Sequence, residues 1–279
     1  MTQPGARPFA GQVALIATMH GKQAAIAPAL EALGFKVRVA DGLDTDRFGT
    51  FTGEVARAGT MLDAARAKAR AAFARHPEAD WIIASEGAFG PSAAVPMLAE
   101  AKELILAWRP RDDLEASAMR ASFETNFAHI DDPDAAALDA FLTRIGFPEH
   151  AVIVKAGGQV LAKGVQDRAA LAGLLDDAGG PRRLETDMRA HLNPARMGEI
   201  AKAADDLAAR LASACPACGA PGFGLARVER GLPCSACGAA TERVRAEIHA
   251  CPACRHEART PRADKLEAAD PGECPACNP

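Results

Sequence analysis

The first 214 residues of this 279-residue chain contain no cysteine, because all eight cysteines lie in the last quarter. A body of about 200 residues needs no disulfide or metal staple, since it buries roughly 70% of its unfolded surface in its own core. The last 65 residues are poor in large apolar side chains. A segment this small usually needs a metal or disulfides to fold.

The chain also lacks an apolar run long enough to span a membrane, which takes about 18 or more uncharged apolar residues. The short apolar run from Val13 to Met19 is followed by no plausible cleavage site, so it predicts a β-strand and not a signal peptide. We therefore expect a cytoplasmic protein with no membrane partner. Reduced thiols in that compartment favour metal binding over disulfides.

No surplus of positive charge marks the cysteine-rich segment. The whole chain has a net charge of −4, and the segment from Ser213 onward contains equal numbers of basic and acidic residues. Two zinc sites with four thiolates each would add about −2 apiece. Because DNA binding relies on Lys and Arg to neutralise phosphates, nucleic acid is not a favoured partner.

The cysteines form four Cys-x-x-Cys pairs, the spacing of zinc knuckles, and predict two structural zinc sites. Sequential and crossed pairings of the knuckles both fit the intervals between them. His249 and His256 flank the third pair and are expected to be bystanders, since four cysteines per site suffice. A site with four cysteine ligands is closed, so the segment is expected to brace the body or to recognise a partner protein. The pairs are Cys215/Cys218, Cys234/Cys237, Cys251/Cys254 and Cys274/Cys277.

The order strand, helix, strand, helix, strand predicts an α/β fold with a mixed, mainly parallel sheet, flanked by helices and extended by antiparallel strands. A helix and a small C-terminal double zinc-ribbon module follow. Thr60 and Asn193 are predicted helix caps. The predicted divisions are an α/β domain at 10–190, a connecting helix at 191–212 and a zinc module at 213–279. The predicted strands are 12–18, 35–40, 80–85, 103–109, 114–123, 151–155 and 159–165.

Polar residues follow each of the first three predicted strands, and the carboxyl ends of parallel strands share one edge, where ligands bind. Lys22, in a glycine turn at a helix start, suits phosphate. Asp44, Asp46 and Glu86 suit Mg²⁺. The pattern predicts Mg²⁺-dependent hydrolysis of a nucleotide or another phosphorylated small molecule. The predicted catalytic residues are Asp44, Asp46 and Glu86, and the predicted phosphate-binding residues are Thr18, His20, Gly21 and Lys22.

A second hypothesis is a non-enzymatic zinc-ribbon adaptor that binds protein or nucleic acid. A further question concerns the charged stretch just before the last helix. It either joins the active site from the far end of the body or forms a solvated linker. Its residues are Glu185, Asp187, Arg189 and His191.

Several long stretches of the chain are distinctive. They are 17–22, 44–54, 125–127, 185–190, 193–197 and the closing 277–279. On these stretches the whole chain resembles an uncharacterised bacterial family, domain of unknown function 6671. The resemblance implies no activity.

Residues 12–125 show a second resemblance, to the house-cleaning inosine/xanthosine triphosphatases. Thr18 and Lys22, Thr60 with the helix after it, and Glu86-Gly87 fall in the matching places. This resemblance implies that Lys22 binds phosphate and that Glu86 is a metal ligand.

Overall fold

A computed structural model describes residues 7–43, 59–262 and 264–279, which contain five α-helices and twelve β-strands. The helices are α1 (Gln23–Ala32), α2 (Met61–Arg75), α3 (Ala135–Ile145), α4 (Arg168–Asp176) and α5 (Pro194–Ala212). The first six strands are β1 (Val13–Ala17), β2 (Lys36–Val39), β3 (Trp81–Pro91), β4 (Ala99–Arg109), β5 (Leu114–Ser122) and β6 (His129–Asp131). The others are β7 (Val152–Ala156), β8 (Gln159–Val165), β9 (Arg182–Thr186), β10 (Gly224–Arg230), β11 (Val244–Ala250) and β12 (Glu257–Pro261).

The chain divides into two compact units. The larger unit comprises the described residues of Gly5–Asp113 and Ser117–Ala208, and the smaller comprises Leu114–Ala116 and Ala209–Pro279. Within the described residues, none of the helices is both long enough and apolar enough to cross a membrane.

A five-stranded sheet in the order β2-β1-β3-β4-β5 confirms the predicted mixed sheet with an antiparallel extension. Strand β1 runs parallel to both β2 and β3, whereas β3 and β4 are antiparallel. The predicted strands 80–85 and 103–109 are too short. The β3–β4 ladder continues to the pair Pro91↔Ala99, and its far half lacks the apolar run that marked the near half.

Helix α2 packs on one face of this sheet through small side chains. Thr60 caps the helix as predicted, since its hydroxyl accepts a hydrogen bond from the Asp63 amide and the Asp63 carboxylate accepts one from the Thr60 amide. The buried stripe repeats every three or four residues and includes Ala65, Ala69 and Ala72. Lys68 lies in the middle of this stripe, so a charged group enters an apolar interface.

A second, four-stranded sheet has the order β6-β9-β7-β8, and each pair of neighbouring strands is antiparallel. The β7–β8 hairpin was predicted, but β6 and β9 were not. Helices α3 and α4 cover one face, where Val152, Val154 and Leu184 join their apolar residues in one core. Because side chains alternate along a strand, Ile153, Lys155 and their neighbours occupy the opposite face.

Helix α5 begins where the sequence predicted, because the Asn193 side chain accepts a hydrogen bond from the Arg196 amide at 3.0 Å and Pro194 occupies the first helical position. In the smaller unit, β10, β11 and β12 form an antiparallel sheet in that order. All eight cysteines belong to this unit.

Candidate functional site

The eight cysteines form two clusters whose knuckles interleave. The first knuckle pairs with the third, and the second pairs with the fourth, so the crossed arrangement holds and the sequential one does not. The clusters are Cys215, Cys218, Cys251 and Cys254, and Cys234, Cys237, Cys274 and Cys277.

The geometry of both clusters fits a tetrahedral zinc ion. The Sγ atoms of Cys215 and Cys254 are 3.8 Å apart, and those of Cys237 and Cys274 are 3.7 Å apart. Four sulfurs about 2.3 Å from a central zinc would lie about 3.8 Å from one another, whereas a disulfide would bring two of them to about 2.05 Å. In each cluster all four sulfurs lie within 4.8 Å of one another. Both clusters are therefore built to hold zinc and not to form disulfides.

The backbone around the knuckles supports thiolate ligands. The amides of Ala217 and Ala236 each point at the sulfur of the cysteine two residues earlier, at 3.4 Å. Such hydrogen bonds stabilise negative sulfur. His249 and His256 do not belong to either cluster, and their rings pack against Phe223. With four cysteines each, the sites are closed and structural.

The larger unit contains a different kind of cluster, built from buried charges around β3. On one face of the strand, Lys68 of α2 lies 2.5 Å from the carboxylate of Glu86. Both side chains are buried. Glu86 shares its face with Ala84, which packs in the α2 core. Burial of either charge alone would be strongly unfavourable, so the pair forms to compensate both.

The opposite face of β3 carries a second buried pair. Arg196 Nε donates to Glu103 Oε1 at 2.7 Å, and Glu103 stands across the ladder from Gly87. The same guanidinium donates to the backbone carbonyl of Met188 and lies 5.0 Å from the ring of Phe89. Arg196 therefore ties the start of α5 to both strands of the β3–β4 ladder.

Lys22 lies between these two pairs, at the N-terminus of α1. Its side chain is buried and its ammonium donates to Ser85 Oγ at 3.1 Å. Burial lowers the pKa of Lys22 to about 7, and the positive charges of Arg196 and Lys68 act in the same direction. The carboxylates oppose this shift only in part. Near neutral pH, Lys22 is therefore close to losing its proton.

The charges of this cluster sum to one excess positive charge when Lys22 is protonated. Three cations, Lys22, Lys68 and Arg196, face two carboxylates, Glu86 and Glu103. The sequence places Glu86 after the third strand, but Glu86 lies in the middle of β3 because that strand continues to Pro91. A buried excess of positive charge beside β3, close to the carboxyl end of β1, suits an anion.

The charged stretch after β9 lies against the β1–α1 turn. The rings of His20 and His191 stack with their centroids 5.3 Å apart. Burial, followed by the positive charges of His20 and Arg189, lowers the pKa of His191, so this imidazole is neutral at neutral pH. Asp187 is fully buried and accepts hydrogen bonds from the Arg189 guanidinium, the closer at 2.7 Å. These contacts exclude the solvated-linker interpretation.

The predicted phosphate-binding residues lie in the turn between β1 and α1. Two of the predicted carboxylates fall outside the described residues. Thr18 and Lys22 are buried. A Cβ built on Gly21 would lie 3.6 Å from the Cβ of His191, so His191 lies next to this glycine. Asp44 and Asp46 lie outside the described residues.

Three of the distinctive stretches, 125–127, 185–190 and 193–197, are joined by hydrogen bonds. Asn193 Nδ2 donates to Asn126 Oδ1 at 3.0 Å, and Thr186 Oγ1 donates to the carbonyl of Asn126 at 2.7 Å. The sequence pattern of the family described as Domain of unknown function (DUF6671) matches residues 70–279. The chain belongs to this family.

Other comparisons add little to that assignment. No curated protein matches the chain. Among solved structures, the crystal structure of protein VC0702 from Vibrio cholerae is similar, with 14% identity and a TM-score of 0.33 over 71% of this chain and 92% of that chain. A similarity at this level carries no argument about the fold or the function.

The sequence does not identify Lys68, Glu103 and Arg196 as members of the buried charge cluster. The burial of Lys68 could have been predicted, because this residue falls on the apolar stripe of a helix that the sequence predicts. Arg196 lies in the distinctive stretch 193–197, but its partner Glu103 is 93 residues away. No local pattern connects two such residues.

The interleaved knuckles predict that the two zinc sites are coupled. Each site closes a loop that contains one knuckle of the other, so losing one metal removes a cross-link from the loop that the second metal must close and raises the entropic cost of closing it. Cys215→Ser is expected to lose the first zinc and to weaken the second by about tenfold, measured by metal analysis and chelator competition. The matched control Ser235→Ala, inside a knuckle, should retain both ions. Unchanged affinity at the second site of Cys215→Ser would contradict the coupling.

The Arg196–Glu103 pair predicts a strict requirement for glycine at position 87. A Cβ there would lie 2.5 Å from Arg196 Nη2 and 2.8 Å from Glu103 Oε1. Gly87→Ala should lower the free energy of unfolding by about 2–3 kcal/mol, measured by urea denaturation. Gly90→Ala on the same strand is the control, since its Cβ would meet nothing within 4 Å. Equal effects of the two substitutions would show that the pair does not restrict this position.

Proposed function

We propose that the protein hydrolyses a nucleotide or a related phosphate ester, with the phosphates bound at the edge of the five-stranded sheet. The observation that carries this proposal is the buried Lys22, with a pKa of about 7, beside the two ion pairs of β3. A bound phosphate would supply the negative charge that the cluster lacks. It would also return Lys22 to its protonated form.

The position of Lys22 suits phosphate for a second reason. It precedes α1, whose N-terminus carries a partial positive charge from aligned peptide dipoles. Ser85 holds the ammonium at this end of the helix through the 3.1 Å hydrogen bond. Lys22 therefore binds and orients the phosphate.

Glu86 is the described residue that fits Mg²⁺, because that ion is held by one or two carboxylates together with substrate phosphates. The same carboxylate pairs with the Lys68 ammonium at 2.5 Å. When bound, Mg²⁺ would polarise the phosphoryl group and help to generate the attacking hydroxide.

The sequence resemblance of residues 12–125 to the inosine/xanthosine triphosphatases supports a choice of substrate class. We take nucleoside triphosphates as the first substrates, with His20 and His191 flanking the site. Their stacked rings form a flat polar surface next to the β1–α1 turn.

The adaptor hypothesis remains the second candidate. The zinc sites are closed, and Leu225 and Val228 of β10 are 46% and 42% exposed, which suits contact with a protein partner. A lack of hydrolysis would leave this candidate as the better one.

Hydrolysis should depend on Glu86. The full chain, supplied with Mg²⁺ or Mn²⁺ and a panel of nucleoside triphosphates, is expected to release phosphate or pyrophosphate. Glu86→Gln should lower kcat/KM by about a hundredfold or more. Glu78→Gln is the control, since Glu78 is an exposed residue before β3. No product across the panel, or full activity of Glu86→Gln, would refute the proposal.

Anion binding should depend on pH through Lys22. Without a bound anion, the pKa of Lys22 is about 7. A bound anion raises this pKa, so binding above pH 7 is accompanied by the uptake of a proton. Sulfate keeps its charge throughout this range, and its stabilising effect on thermal unfolding should fall between about pH 7 and pH 9. In Lys22→Met the effect should be small and independent of pH. A pH dependence that survives the substitution would assign the proton to another group.

A further inference from the structure

The four-stranded sheet has one face that its helices leave open. Side chains alternate along β7 and β9, so Ile153, Lys155, Arg183 and Glu185 lie on the face opposite α3 and α4. Ile153 is 4% exposed although no helix of the sheet's core covers it. Something other than α3 and α4 therefore shields the centre of this face.

The shield is the far end of the β3–β4 hairpin, together with the segment before β6. Phe89 and Phe127 stack with ring centroids 6.2 Å apart, and Leu98 lies on the same wall. Between this wall and the sheet remains a pocket of about 630 Å³. That volume lies within the range of pockets that hold small organic ligands.

The apolar part of the pocket extends to its rim. Met97 is 94% exposed and Leu98 is 48% exposed, at the tip of the hairpin. Exposed large apolar side chains at the mouth of a pocket suit a ligand or cover that would bury them.

Cations outnumber carboxylates around the pocket. Lys155 pairs with Glu185 at 2.8 Å, and Arg183 pairs with Asp131, so these charges compensate one another. Arg144 adds a further positive charge to the lining. Its guanidinium lies 5.5 Å from the Phe141 ring, and among the described residues no carboxylate forms an ion pair with it. The pocket is therefore apolar with one excess cation.

We propose that this pocket binds a small aromatic anion, that is, a ring system carrying one carboxylate, sulfonate or phosphate group. The rings would pack against Phe89, Phe127 and Ile153, and the anionic group would pair with Arg144. The site is separate from the Lys22 cluster, because none of the five charged residues of that cluster lines the pocket. The proposal therefore stands whether or not the protein hydrolyses nucleotides.

The probe is anilinonaphthalene sulfonate, an aromatic anion whose fluorescence rises in apolar surroundings. Titration of the zinc-loaded full chain should give one saturable site. The comparison ligand is N-phenylnaphthylamine, which has the same rings without the sulfonate. The sulfonate form should bind more tightly, and Arg144→Met should remove that difference while leaving the uncharged ligand unaffected.

Two aromatic substitutions locate the site. Phe127→Ala should weaken binding of the sulfonate probe by about tenfold. Phe123→Ala is the matched control, because Phe123 is 53% exposed and does not line the pocket. Arg144 is an exposed residue, so Arg144→Met tests the charge without disturbing the core. Equal binding of the two ligands to the wild type, or equal effects of the two phenylalanine substitutions, would overturn the proposal.

Discussion

The buried ion pair between Arg196 and Glu103 is the interaction on which the larger unit depends. The two side chains are 0% and 2% exposed, so neither charge has water to stabilise it. Loss of one partner would leave the other uncompensated, at a cost of about 3–5 kcal/mol. The pair also fixes the first turn of α5 against the β3–β4 ladder and holds the Met188 carbonyl. The stretch that places His191 beside His20 is anchored at this point.

The smaller unit depends on its cysteine clusters and not on a buried ion pair. Its three-stranded sheet has few large buried side chains, and β10 is mostly exposed. Interleaved metal sites compensate for this lack of core, because each site closes a loop around a knuckle of the other. Zinc held by these clusters would stabilise the fold, and a site closed by four cysteines leaves no position for a substrate.

Local features of both units were readable from the sequence, and long-range ones were not. The Thr60 cap, the β7–β8 hairpin and the knuckle spacing each depend on a few neighbouring residues. Strand β9 was missed because Leu184 is its only apolar residue, and its charged neighbours are typical of a linker. The sequence leaves the knuckle pairing open because loop length discriminates weakly. Sequential pairing closes intervals of 15 and 19 residues and crossed pairing closes intervals of 32 and 36, and a doubling of loop length costs only about 0.6 kcal/mol.

In the candidate site, too, the local features could be predicted from the sequence and the long-range contacts could not. The long-range contacts determine the charge of the site. The glycine turn predicts Lys22, but its pKa is lowered by burial first and then by the positive charges of Arg196 from α5 and Lys68 from α2. Each carboxylate of the cluster already has its own cation, Glu86 with Lys68 and Glu103 with Arg196. Lys22 is therefore the one cation of the three whose charge the cluster does not balance. A fold that buries such a group at a sheet edge gains a preference for anions that no single residue in the sequence displays.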